Sequence, residues 1–311
     1  MGDVRAARPP SGEQFEIETG SQRAVVTEVG ASLRSYTVDG TDVVDGFAEH
    51  EPSTAGRGQI LAPWPNRLED GHFRFEGVEG GAPLDEPDRG NAIHGLVRWL
   101  RWAPTAHTRS SVTLACVLSP QPAYPWWLEL SIEYALGKDG LTVSVVSSNR
   151  SETPAPFGIG FHPYVTVGTP AIDHASVRIP ARRRLLADDR GLPTGEVDVA
   201  DTDFDLRSAR VLGDTELDTC FTDLERTDDD RVSVDLSAPW GSRMVSVWAD
   251  RAFAYLMIYT GHTLEPVERR RQGLAIEPMT CPPNAFRTGR DVVRLDPDSR
   301  WTGSWGIHSP S

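Results

Sequence analysis

The run Leu274-Ala275-Ile276-Glu277-Pro278-Met279-Thr280-Cys281-Pro282-Pro283-Asn284 sets a carboxylate directly behind three apolar residues. Leu-Ala-Ile reads as the end of a buried strand, and Pro278, Pro282 and Pro283 follow closely. Proline fixes its own φ and restricts the residue before it to extended backbone. Glu277 is therefore expected at a strand end with few alternative conformations, as a positioned general base would be. The plain alternative is a strand-terminating glutamate facing water, the usual place for that side chain.

Other segments offer partners. In Phe157-Gly158-Ile159-Gly160-Phe161-His162-Pro163-Tyr164, two glycines allow close backbone approach, aromatics flank His162, and Pro163 stiffens the exit. Imidazole exchanges protons near neutrality, although a packing histidine in an aromatic cluster would read the same way. Asn91-Ala92-Ile93-His94-Gly95 follows a polar, Gly/Pro-rich loop and points His94 more readily into a cleft than into a core. Asn66-Arg67-Leu68 follows the rigid Ala62-Pro63-Trp64-Pro65. Arg67 there presents a fixed fork of donors to a ligand oxygen, or else lies on the surface. Asp218 stands between apolar neighbours in an otherwise acidic region, and Tyr259-Thr260-Gly261-His262 ends an apolar strand with hydrogen-bonding groups.

The elements that must position these residues are strands. Leu128, Leu130, Ile132, Tyr134 and Leu136 alternate with Glu129, Ser131 and Glu133, a period of two that buries one face. Gly137 to Gly140 turns the chain, and Leu141, Val143 and Val145 resume the alternation, predicting a long antiparallel hairpin. Residues 24–26 and 33–38 predict a second hairpin around Gly30. Further strands are expected at Val232–Leu236, Met244–Trp248 and Ala254–Tyr259, and only Leu264–Gln272 has a helical aspect. Many short strands with frequent turns indicate an all-β sandwich or barrel. The 28 glycines and 24 prolines are spread evenly, so no linker divides the chain. One domain over residues 13–308 is expected behind a flexible tail, residues 1–12.

Composition removes several classes of function. A net charge of −14 opposes nucleic-acid binding. No apolar run is long enough to span a membrane and the N-terminus has no apolar signal core, so a cytoplasmic location is expected. Cys116, Cys220 and Cys281 are sparse and odd in number, which predicts buried thiols rather than disulfides or a cysteine zinc site. Lys138, the only lysine, lies in the turn Gly137-Lys138-Asp139-Gly140, away from any pocket suited to Schiff-base chemistry. No HxH or HExxH spacing, P-loop, GxGxxG or GxSxG is present, so neither a metal nor a nucleotide is expected.

Asn66-Arg67, Asn91 to Gly95, Gly160 to Tyr164, Asp218, Tyr259-Thr260-Gly261 and Glu277-Pro278, in this order, resemble the aldose 1-epimerase (galactose mutarotase-like) family over roughly residues 20 to 305. The resemblance implies an all-β, large antiparallel β-supersandwich with few or no helices, a carbohydrate cleft on one face, and no cofactor. It implies Glu277 as general base and His162 as general acid. His94 and Arg67 would contact the sugar ring and Asp218 a sugar hydroxyl, with Asn66 and Tyr259 completing the binding set. The implied function is interconversion of the α and β anomers of a free aldose. The implied partner is a small-molecule sugar, with neither nucleic acid nor membrane, for a monomer or homodimer. The alternatives are a non-catalytic sugar-binding or sugar-sensing protein of this fold, a hexose-6-phosphate 1-epimerase, and a glycosidase using Glu277 and Asp218. Leu96, Met257, His262 and Pro278 depart from residues common in galactose mutarotases, which sets galactose apart from the chemistry itself.

The implied roles require a deprotonated Glu277 and a protonated His162, and so a cleft that raises the histidine pKa. The acidic limb of the rate profile would then report Glu277 and the basic limb His162. Arg57, Arg67 and Arg89 are the candidates to bind an anionic substituent, with Arg57 between Gly56 and Gly58 and Arg89 before Gly90 both expected on flexible loops that reach toward it. Asp85, Glu86, Asp88 and the overall negative charge oppose one, so a neutral aldohexose or aldopentose is expected.

Overall fold

The computed structural model describes residues 8–309, except Ser242 and the side chain of Trp240. Residues 1–7 of the expected tail lie outside the described residues; within the remainder, Ser11 is buried and the Gly12 amide donates to the Pro9 carbonyl. The described chain is almost entirely antiparallel β-structure, as expected.

Nine strands form the larger sheet. Its centre is the expected hairpin, Leu128–Gly137 against Gly140–Asn149, with Leu136 opposite Leu141. Leu128, Leu130, Ile132 and Tyr134 are buried, whereas Glu129 and Glu133 between them are exposed. Each such apolar side chain contributes about 1.5–3 kcal/mol on leaving water, which pins the register of the pair. Arg300–His308 adds to Gly140–Asn149, and Met244–Ala249 and Val232–Ser237 extend the sheet beyond it.

A second sheet of eight strands lies behind the first. Its order runs Pro193–Asp198, Ala181–Ala187, Asp218–Leu224, Tyr255–Tyr259, Leu274–Met279, Gly160–Phe161 and Ile60–Leu61, with Tyr164–Val165 also paired to Leu274–Met279. Phe161 of this sheet packs on Trp305 of the larger one, ring centroids 5.1 Å apart, so both sheets close on one core. A four-stranded sheet, Gln14 to Asp42, includes the expected hairpin Gln22–Thr27 and Leu33–Val38.

Two local expectations are corrected. Leu264–Gln272 is not an α-helix: only Val267–Arg269 forms a short 3-10 turn, preceded by Pro266. The short α-helix among the described residues is Ala285–Thr288, ended by Gly289 in the left-handed region, where glycine carries no Cβ penalty. The strand bearing Glu277 does not stop there but continues through Pro278 to Met279, so Glu277 lies inside the sheet. Cys116, Cys220 and Cys281 are free and buried, as expected.

Candidate active site

The second sheet delivers one side of the site through its register. Glu277 stands opposite Met257, and Asp218 stands opposite Tyr259. His162 falls in the gap between Gly160–Phe161 and Tyr164–Val165, two fragments that both pair with the Glu277 strand. His162 Nε2 thereby lies 3.3 Å from Glu277 Oε1. Both side chains are buried, Glu277 at 2% and His162 at 5% exposure.

A loop grips the histidine from the other side. The Gly58 amide donates to the His162 carbonyl at 2.9 Å, and the His162 amide donates to the Gln59 carbonyl at 3.1 Å. Gly56 has φ +75°, and a Cβ there would come within 2.5 Å of the imidazole. Glycine suits both the left-handed backbone and the close approach.

The other side of the site is an irregular two-stranded element, Arg67–Glu69 against Asn91–Ile93. Asn66 and His94 both have left-handed backbone, at φ 55° and 64°, and the His94 amide donates to the Asn66 carbonyl at 2.9 Å. Such conformations are uncommon outside glycine and cluster where a fold holds functional groups. Arg67 forms a fork with Glu86: Nε lies 2.9 Å from Oε2 and Nη2 lies 3.0 Å from Oε1. Its Nη2 also lies 4.0 Å from Asp218 Oδ2.

All seven residues selected from the sequence line one cleft of about 530 Å³: Asn66, Arg67, His94, His162, Asp218, Tyr259 and Glu277. They do not all present side chains alike. Asn66 Oδ1 accepts from the Arg67 amide at 2.9 Å, bracing the turn, and the Tyr259 hydroxyl bonds Thr263 at 2.7 Å. Gln59, Gly56 and Trp99 also belong to the cleft but were not singled out in the sequence, and Glu86, read there only as a loop charge opposing an anion, belongs to it as the partner of Arg67. Arg57 is corrected more sharply. It does not reach out on a flexible loop but is buried, paired with Asp45 at 3.3 Å. The remaining rim arginines also face carboxylates, Arg89 with Glu86 and Arg98 with Asp85.

Burial dominates the electrostatics. It pushes the Glu277 carboxyl well above the ordinary carboxylate range, with Asp218 adding to the rise and Arg67 opposing it. It pushes His162 down to about 3, and the charges of Arg57 and Arg98 act in the same direction. His94 is also held well below its usual value, by burial first and then by His162, Arg98 and Arg67. The expectation that the cleft raises the His162 pKa is thus reversed. Two buried groups that each disfavour their charged form favour sharing one proton, and the opposite shifts of the two favour Glu277 over His162 as its holder.

Glu277 Oε2, His162 Nδ1, His94 Nδ1 and both amide atoms of Gln59 are buried without a hydrogen-bond partner among the described residues. Each such atom costs about 1–3 kcal/mol. A polyhydroxylated ligand in the cleft would relieve that cost. Among the described residues, no group of three or more His, Cys, Asp or Glu converges as a metal shell.

Comparison with known proteins agrees with this architecture. The chain is 33% identical to the uncharacterized protein YihR of Escherichia coli K12, over 92% of this chain and 90% of that protein. It is 28% identical to the galactose mutarotase of Pongo abelii over 66% of this chain and 64% of that protein. The crystal structure of the GalM/aldose epimerase homologue from C. elegans shares the fold, with a TM-score of 0.84 at 19% identity, covering 96% of this chain and 98% of that one. The family model described as aldose 1-epimerase matches residues 13–308. This chain belongs to the aldose 1-epimerase family.

Proposed function

We propose that the protein interconverts the α and β anomers of a free aldose. The observation that carries this reading is the buried Glu277–His162 pair, 3.3 Å apart, among the residues lining a cleft large enough for a hexose. Mutarotation needs one group to take the proton of the C1 hydroxyl and another to protonate the ring oxygen. The ring opens, C1 turns about the C1–C2 bond, and closure repeats the transfers in reverse. A pair that shares one proton serves both directions without a net change in its own protonation.

Before sugar binds, the proton rests on Glu277. Hydroxyls brought by the sugar stabilise the carboxylate as hydrogen-bond donors, and the proton then moves to His162. Glu277 becomes the base at the C1 hydroxyl and His162 the acid at the ring oxygen. Arg67 and Asp218, bordering the same cleft, hold ring hydroxyls, and His94 orients the sugar beside His162, from which its ring lies 5.4 Å. A glycosidase built on Glu277 and Asp218 would leave His162 without a part. A pure binding protein would gain nothing from a buried acid–base pair that costs stability. The cleft lies within residues 13–308, proposed as a single domain.

The test is two-dimensional NMR exchange between anomeric protons, run at sugar equilibrium over a panel of free, phosphorylated and sulfonated aldoses. Enzyme-dependent exchange on at least one aldose is expected, and its absence across the panel would reduce the chain to a binding protein.

A further inference from the structure

The segment Thr54 to Gln59 does more than border the cleft. Arg57, inside it, is 1% exposed, an unusual place for a guanidinium. Its Nε and Nη2 each donate to Asp45 Oδ2 at 3.3 Å, and its Nη1 donates to the Thr54 carbonyl at 3.4 Å. Asp45 is also paired with Arg269 at 3.3 Å, so two cations share one carboxylate. The Arg57 guanidinium carbon sits 4.7 Å from the centroid of the Tyr164 ring. Tyr164 in turn stacks on His162, with centroids 5.0 Å apart and planes at 21°. The Tyr164 hydroxyl donates to the Ala55 carbonyl at 3.1 Å, which ties the ring back to the same loop.

We propose that Arg57 is a positioning residue for His162, acting through the Tyr164 ring stacked between them. This rests on the mutarotase reading above. A well-packed apolar side chain could fill the space of a buried ion pair at no loss of stability, so stability alone does not call for a cation there. The cation fixes the Tyr164 plane by attraction to the face of its ring. That plane and the Gly56 backbone leave the imidazole a single slot opposite Glu277. The charge also disfavours a second cation on the far side of Tyr164. It thereby adds to burial, the larger cause, in lowering the His162 pKa. The other groups facing His162 are Glu277 on the central strand, His94 across the cleft, and Arg98 on the rim. Of the two arginines, Arg57 is the one in a stacked line with the imidazole.

The experiment compares wild type, Arg57→Gln and Arg57→Lys by NMR anomer exchange, with kcat and KM followed from about pH 3 to about pH 8. Arg57→Gln is expected to lose about tenfold in kcat with KM within about twofold, because the acid is misplaced while the sugar contacts remain. Removing the cation also moves the acidic limb to higher pH. Arg57→Lys, which keeps the charge, is expected to keep the acidic limb and recover part of kcat. Unchanged kcat and an unmoved limb in Arg57→Gln would overturn the proposal. Equal losses in both variants with no shift of the limb would also overturn it, since that is the signature of packing alone. If Arg57→Gln fails to fold, Arg57→Met, which removes the same charge, fills the space and leaves Asp45 paired with Arg269, gives the same readouts. Absence of exchange in the wild type would fail the mutarotase reading itself, and is distinguishable from an active wild type with an indifferent Arg57.

Discussion

The two large sheets of this protein obey different rules. In the nine-stranded sheet, Leu128–Gly137 alternates buried residues with exposed or half-buried ones throughout, and Gly140–Asn149 alternates buried with half-buried residues from Leu141 to Ser147. In the eight-stranded sheet, Leu274–Met279 is buried at every position, with a glutamate in the middle. On one side of it Gly160–Phe161 and Tyr164–Val165, with Ile60–Leu61 beyond Gly160–Phe161, are each two residues long, and the loops around them hold Ala55, Gly56, Asn66 and His94 in left-handed backbone. The first sheet is organised to be stable. The second gives up regularity to bury an acid and a base side by side. Stability and chemistry are therefore divided between the two faces, and substitutions on each should separate accordingly.

The sharpest break is expected at His162. His162→Asn should lower kcat by about 10²–10⁴-fold, the range for a general acid, while thermal denaturation stays near wild type. A variant as active as wild type in polarimetry would move the acid elsewhere.

The pH dependence sharpens the comparison, because only the second sheet buries titrating catalytic groups. In the proposed mechanism the active free enzyme carries one proton on the Glu277–His162 pair. Acid adds a second proton, which goes to His162, whose pKa is depressed to about 3. Alkali removes the single proton from Glu277, whose pKa is raised. kcat/KM is thus expected to fall in acid as pH approaches about 3 and to fall on the alkaline side as Glu277 ionises, at a pH above the ordinary carboxylate range. The limbs are the reverse of those expected from residue types alone. An acidic limb within the ordinary carboxylate range would restore the original assignment.

Smaller effects follow. His94→Asn should cost about tenfold in kcat/KM, much of it in KM, since His94 orients rather than transfers. On the opposite face, Ile132→Ala should destabilise the protein by about 2–5 kcal/mol in chemical denaturation and leave kcat within about twofold. A large loss of kcat there would mean that the two faces are not independent.

The same division explains what was legible in the sequence. Strict alternation in Leu128 to Val145 announces its hairpin because each register slip would expose a whole apolar face. Glu277, His162, His94, Arg67 and Asp218 were legible from residue type beside proline and glycine, and from the order of motifs shared with the family. Glu86 and Gln59 were not, because their places beside Arg67 and His162 come from contacts distant in sequence. Arg57 between two glycines read as a mobile cation, and only the packing of Asp45 and Tyr164 around it shows otherwise. The direction of the pKa shifts was not legible because burial, which raises Glu277 and lowers His162, is a property of the assembled sheet.

The most direct test of the central claim is anomer exchange by Glu277→Gln on a sugar turned over by the wild type, with affinity measured alongside. Glutamine keeps the shape of the side chain and cannot act as the base. The account predicts exchange at the uncatalysed rate with sugar affinity within about threefold of wild type, as expected of an interaction made only in the transition state. Exchange near the wild-type rate would contradict it and remove Glu277 from the mechanism.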